Sequence, residues 1–181
     1  MIVDAETYIA TIVDWLRFWD AKVYQERVGP QPATVGHLYD LVRIDAGEGT
    51  HTVQAHYCVA LASLGSVDTP FVVHDFTRHV HAHAYQTTRG TPGSGTVELA
   101  IAVLVSPLVH ATAAAAATAP PPGSSQFGTD RPVVVDVTTG QVHTNTGTRH
   151  TGAHLAATTK VVQLFRPPAE LRPPPGHAPA D

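Results

Sequence analysis

The sequence predicts an α+β fold: an N-terminal amphipathic helix packed on a mainly antiparallel β-sheet, a second, Ala-rich helix and a Pro-rich C-terminal arm. Three observations point there. An apolar stripe of helical period opens the chain (Tyr8, Ile9, Ile12, Val13, Leu16, Trp19). Alternating runs rich in Val, Thr and aromatic residues follow it, and an Ala113–Ala117 run precedes a late pair of strand-like segments. At 181 residues the chain suits one core, assigned to 1–166, with 167–181 as an extended or disordered tail.

The first helix is expected over Ala5–Trp19, with Asp4 as its N-cap and Glu6 complementing the dipole of the first turn. Val3 and Tyr8 stand at staple spacing. Trp15, Phe18 and Trp19 are assigned to core packing. Gly29-Pro30 and Pro32 stop any element that continues past Val28. Strands are then expected over His37–Ile44, ended by Asp45-Ala46-Gly47-Glu48-Gly49, and over Thr52–Leu64. Gly65–Pro70 reads as a turn, Phe71–Thr87 contains a histidine-bearing strand, and Arg89–Gly95 is a loop. Thr96–Thr118 is assigned to a helix kinked or restarted near Pro107, on the strength of its alanine run. Pro120–Ser125 is a linker, Pro132–Thr138 and His154–Phe165 are strands, and the Thr/Gly-rich Gly140–Gly152 between them suits a flexible hairpin.

Composition narrows the function. Charged residues make up only 14%, against roughly 25% in ordinary soluble domains. Surface so thinly charged is expected to lie against partners. Lysine occurs only at Lys22 and Lys160, and the net charge of -4 leaves no basic patch for sequence-specific nucleic-acid binding. The single Cys58 excludes an internal disulfide and a Cys-rich zinc site, and is read as a buried thiol. The early acids of Met1–Glu6 do not make a signal peptide, and Leu99–Val109, broken by Ser106-Pro107, is too short to span a bilayer. These features predict a protein made in the cytoplasm, without a membrane partner.

The run His79-Val80-His81-Ala82-His83-Ala84-Tyr85 has a period of two. On a strand it sets His79, His81, His83 and Tyr85 on one face and Val80, Ala82 and Ala84 on the other. Same-face neighbours stand about 6.8 Å apart, so three rings on a straight strand cannot hold one ion. A His-x-His pair would need a further ligand from elsewhere, with His51, His56, His74, His143, His150 and His154 as candidates. Cupin-like sites place a carboxylate a few residues beyond His-x-His, whereas the next acid here is Glu98, across a Gly/Pro loop. His79, His81 and His83 are the metal candidates; the favoured reading is a polar face turned towards a partner, with no metal, cofactor or catalytic residue.

Catalytic patterns are thin. Asp75 beside His74 and His79 suggests an acid/base pair only by proximity, and Arg149-His150 lies in the Thr/Gly-rich hairpin. The chain has no Gly-x-Ser-x-Gly elbow, phosphate loop, dinucleotide fingerprint or His-Glu-x-x-His. It is therefore read as a non-enzyme; the alternative is a small α+β enzyme or ligand-binding protein with a His-based metal site.

The order of the N-terminal helix, the segment Phe76–Tyr85, the Ala-rich helix and the closing His154–Phe165 resembles the tail-terminator and neck (head–tail connector) proteins of long-tailed actinobacteriophages, over roughly residues 4–166. The resemblance is one of order and texture and rests on no diagnostic motif. It implies an α+β subunit in a hexameric ring that caps the tail tube and joins it to the head, with itself, tail-tube and head-completion proteins as partners and the virion head–tail junction as location. The length of Asp45–Pro70 and the Pro-rich end from Pro167 depart from that pattern.

Overall fold

The computed structural model describes residues 4–46, 49–87, 97–120, 128–145 and 165. It is an α+β fold built on a six-stranded sheet in the order β1-β2-β3-β4-β5-β6, comprising Lys22–Val28, Gln31–Ala46, Gly49–Ser63, Val97–Ser106, Gly128–Asp136 and Gln141–Thr144. β1-β2, β2-β3 and β5-β6 pair antiparallel, while β3-β4 and β4-β5 pair parallel. Helix α1 (Ala5–Phe18) covers one face, and α2 (Pro70–Thr87) with α3 (Ala111–Thr118) covers the other.

α1 forms where its stripe requires. The Asp4 carboxylate accepts from the Thr7 amide at 2.8 Å and from the Thr7 hydroxyl at 2.8 Å, satisfying an otherwise unpaired first-turn donor. Tyr8, Ile12 and Leu16 are buried against Tyr57, Val59, Leu61, Ile101 and Val103, and Val13 is buried as well. The Tyr8 hydroxyl donates to the carbonyl of Phe165 at 2.9 Å, which ties Phe165 to this helix. The aromatic trio is a correction. Phe18 is 85% exposed because the helical period that buries positions 8, 12 and 16 turns it outward, while Trp15, at the edge of the stripe, and Trp19, the C-cap beyond the helix's last residue, are also exposed.

β1, which has no strong alternation, was not anticipated as a strand. It pairs with β2 through a two-residue turn from Val28 to Gln31. Gly29 takes φ +59°, the conformation the first turn residue needs in a type II′ hairpin, with Pro30 behind it. A Cβ at Gly29 would lie 2.5 Å from His79 ring carbons. Gly29→Ala is therefore expected to cost about 1–2 kcal/mol from the left-handed backbone alone, and more from the collision. Adding His79→Ala should recover only the second part, read as a positive coupling in a denaturation double-mutant cycle. Additive effects would show that the ring does not press on the turn.

The segment Phe71–Thr87 is helix α2, not the expected strand. Val73, Phe76, Val80 and Ala84 are its buried residues and recur at helical spacing, while Ala82 is exposed. Pro70 stands at its first position, where a missing N–H costs nothing. Parallel β3 and β4 also demand a crossover, and α2 supplies it. The converse correction falls on 96–110: Val97–Ser106 is strand β4, not a helix. Leu99 to Val105 are all buried, since a central parallel strand has cover on both faces and reads as a continuous apolar run. The Ala-rich helix exists as α3, third in order, with Ala113, Ala116 and Ala117 buried.

The expected strand Pro132–Thr138 corresponds to β5, and Gln141–Thr144 of the Thr/Gly-rich segment is strand β6. The expected loop 89–95, most of the linker 120–125, the strand 154–165 apart from Phe165, and the arm 167–181 lie outside the described residues. Among the described residues no helix is long and apolar enough to cross a membrane.

Candidate functional site

On the α2 face the core residues Ala33, Val35, Ala60, Ala62 and Val80 give way, towards the end of α2, to polar rings. Strand alternation sets Tyr24 and Glu26 of β1, His37 and Tyr39 of β2, and His56 and Cys58 of β3 on this same face as Val35 and Ala60. The antiparallel register places His37 opposite Cys58 and Tyr39 opposite His56. His83 descends onto them from α2.

The cluster is continuous. Tyr24 Oη lies 2.8 Å from His37 Nε2 and 3.4 Å from His83 Nε2. His37 Nδ1 lies 3.0 Å from His56 Nε2, and the two rings stack with centroids 5.2 Å apart. Tyr39 covers His56 from the outer side at 4.5 Å. Glu26 Oε2 stands 3.7 Å from His83 Nε2 and is partly open to solvent, so the carboxylate marks the mouth. The ligand atoms of His37, Cys58 and His83 all lie within 4.8 Å of one another.

Burial sets the electrostatics. His56 is 1% exposed, and burial, helped by His37, pulls its pKa down to about 4, so it is a neutral base at physiological pH. Burial also lowers His37, with His83 adding to the effect. The Cys58 thiol is pushed up to about 12 by burial, then by the charges of Glu98 and Glu26. Tyr24 is raised by burial and by Glu26, so its hydroxyl keeps its proton and can donate to one imidazole while accepting from the other. The arrangement can pass a proton along Tyr24, His37 and His56, or hold a cation between imidazole and sulfur.

The helix separates the three histidines that a strand would have aligned. At 100° per residue, His79 and His83 fall about 40° apart, and His81 turns to the opposite side. His79 packs on Gly29 and lies 3.5 Å from Asp75. His81 Nδ1 meets Asp130 Oδ1 of β5 at 2.6 Å. Only His83 enters the cluster. Of the further ligand candidates, His56 is in it, His74 is exposed on α2, and His143 is on β6. His51 lies on β3 beyond the residues whose side chains are described, and His150 and His154 lie outside the described residues. His37, Tyr24 and Cys58 were not read as partners. A signal for them was present: a hairpin turning between Ala46 and Gly49 pairs His37-x-Tyr39 with His56-x-Cys58 on one face.

No family model matches this chain, and no similar protein was found among the curated proteins or the solved structures.

Proposed function

We propose that this chain is a structural virion subunit, a phage tail-terminator or neck protein that closes into a ring, caps the tail tube and joins it to the head. The observation that carries this reading is the β2–β3 arm. Among the described residues β1 accompanies β2 only as far as His37 and β4 joins β3 only from Ala55, so there Leu41–Ala46 and Gly49–Gln54 have each other as strand partners and no third strand beside them. Six residues a side extend the ribbon about 20 Å past the sheet. A free two-stranded ribbon is marginal in water and gains by lying on another surface. Tyr39 and Leu41 at its root are exposed.

The occupant is a second copy of this chain. Trp19 leads through Asp20 and Ala21 into Lys22, which pairs with His37, so exposed Trp15, Phe18 and Trp19 lie at the arm's end of the sheet. An arm laid on a neighbour makes a head-to-tail contact, which closes into a ring when the rotation permits. The low charge content agrees with extensive shared surface. The phage setting itself rests on the sequence resemblance.

Light scattering after size exclusion, with negative-stain imaging, is expected to find a discrete ring. Leu41→Lys combined with Tyr39→Lys should reduce it to monomers of unchanged helix content. A wild-type chain that stays monomeric at every concentration overturns the proposal. Purified particles of a phage encoding it should contain the protein at the head–tail junction.

A further inference from the structure

We propose that His37, Cys58 and His83 form a binding site for a borderline-soft divalent metal, Zn2+ foremost, with Glu26 at its open side. The site lies within one subunit and does not rest on assembly.

The three donors come from three elements, β2, β3 and α2, and their ligand atoms lie within 4.8 Å of one another. Bonds of about 2.0–2.3 Å to tetrahedral zinc require donor atoms about 3.3–3.8 Å apart, so closure needs a contraction of about 1 Å. His83 can supply it, because it reaches down from the last turns of α2, and its ring borders partly open Glu26. Two imidazoles and a thiolate are a donor set that zinc, and cobalt as its substitute, accept; magnesium and calcium prefer oxygen.

The surroundings fit the same role. A ligating imidazole is usually fixed by a hydrogen bond from its other nitrogen. His37 has that arrangement: Nδ1 engages His56 Nε2, and Nε2 is left facing His83 across the Tyr24 hydroxyl. Buried His56 can accept the Nδ1 proton, which fixes His37 in the tautomer with an Nε2 lone pair. On binding, Tyr24 yields its place between the two Nε2 atoms. The metal–sulfur bond forms as the thiol proton leaves to solvent, and both imidazoles bind as neutral bases. Three protein ligands leave a fourth position for water or the Glu26 carboxylate, with access from the β1 side. The histidines at positions 79 and 81 take no part.

The full chain, reduced and freed of metal with a chelator, is titrated with Co2+ and then with Zn2+. The expected result is one Co2+ per chain, with a thiolate-to-cobalt charge-transfer absorption and the intense visible bands of tetrahedral cobalt, both abolished by Zn2+. Cys58→Ser should remove the charge-transfer absorption. His83→Gln, which keeps a polar side chain of similar length and whose fold is checked by circular dichroism, should weaken binding by at least about tenfold. His81→Ala, on the same helix but facing Asp130, should leave it unchanged. No thiolate absorption in the folded wild type, or binding unaltered by His83→Gln, overturns the site. Leu41→Lys alone, which leaves Tyr39 stacked on His56, should bind metal as the wild type does whatever its oligomeric state, so failure of either proposal is read separately.

Discussion

Val80→Lys is expected to prevent folding, while Ala82→Lys, two residues on, changes stability by no more than about 0.5 kcal/mol. Val80 is fully buried between α2 and the sheet, among Val73, Phe76, Ala60 and Ala102. An ammonium there has no counter-charge among those neighbours. The resulting loss, at least about 4 kcal/mol, approaches the whole stability of an ordinary domain. Ala82 is exposed on the outer side of the same helix, and lysine is a good helix former that also favours the C-terminal half of a helix dipole. The pair separates the two conformations open to this stretch, since a strand would put Val80 and Ala82 on one face and make both substitutions equally harmful. Circular dichroism and urea midpoints decide it: equal damage from the two lysines would sink the helical assignment.

Acid should weaken the metal-free protein through His56. Its pKa is about 4 in the folded chain and about 6.5 when unfolded, so between those values the unfolded chain binds a proton that the folded chain refuses. Stability from this group is fully present above about pH 6.5, falls as pH drops, and is lost by about pH 4. The difference amounts to about 3 kcal/mol. His37, lowered in the same direction by burial, adds to the loss. Rings pack on both sides of His56 (His37 and Tyr39), and its register partner on β4 is Glu98. His56→Gln keeps a polar partner for His37 and removes the titration. Its unfolding free energy, measured in chelator, should therefore vary less between pH 7 and 4 than that of the wild type. A slope identical to the wild type would contradict the assignment, whatever the variant's absolute stability.

The resemblance to tail-terminator and neck proteins leant partly on the segment Phe76–Tyr85 as a strand, and that segment is helical. Assembly rests instead on the β2–β3 arm, which has no third strand beside it among the described residues, and on the exposed aromatic residues beside its root. The histidine cluster is the observation that keeps a ligand-binding role in view, and it needs no ring.

Local chemistry was enough for much of the fold. The α1 stripe, the Asp4 cap, the Gly29-Pro30 stop, the long strand ending near Leu64 and the alanine helix are each decided by residues within one or two turns or strand lengths. The class of fold followed from their order. Two segments went the other way because their local signals are double. His79–Tyr85 alternates with period two, yet Val73, Phe76, Val80 and Ala84 carry a helical period through the same residues. The Val/Ile-rich stretch before Pro107 adjoins an alanine run that favours helix. Which period wins depends on what lies opposite: a sheet face for α2 to cover, and strands on both sides of β4 to hydrogen-bond it.

By itself, then, the sequence determined the α+β class, the capped first helix, the thinly charged surface and the abundance of histidine. Only the tertiary structure decided which histidines matter. His37, Cys58 and His83 are joined by register and by the rotation of a helix over a sheet. Those depend on contacts between distant segments, which the spacing of residues along one segment does not record.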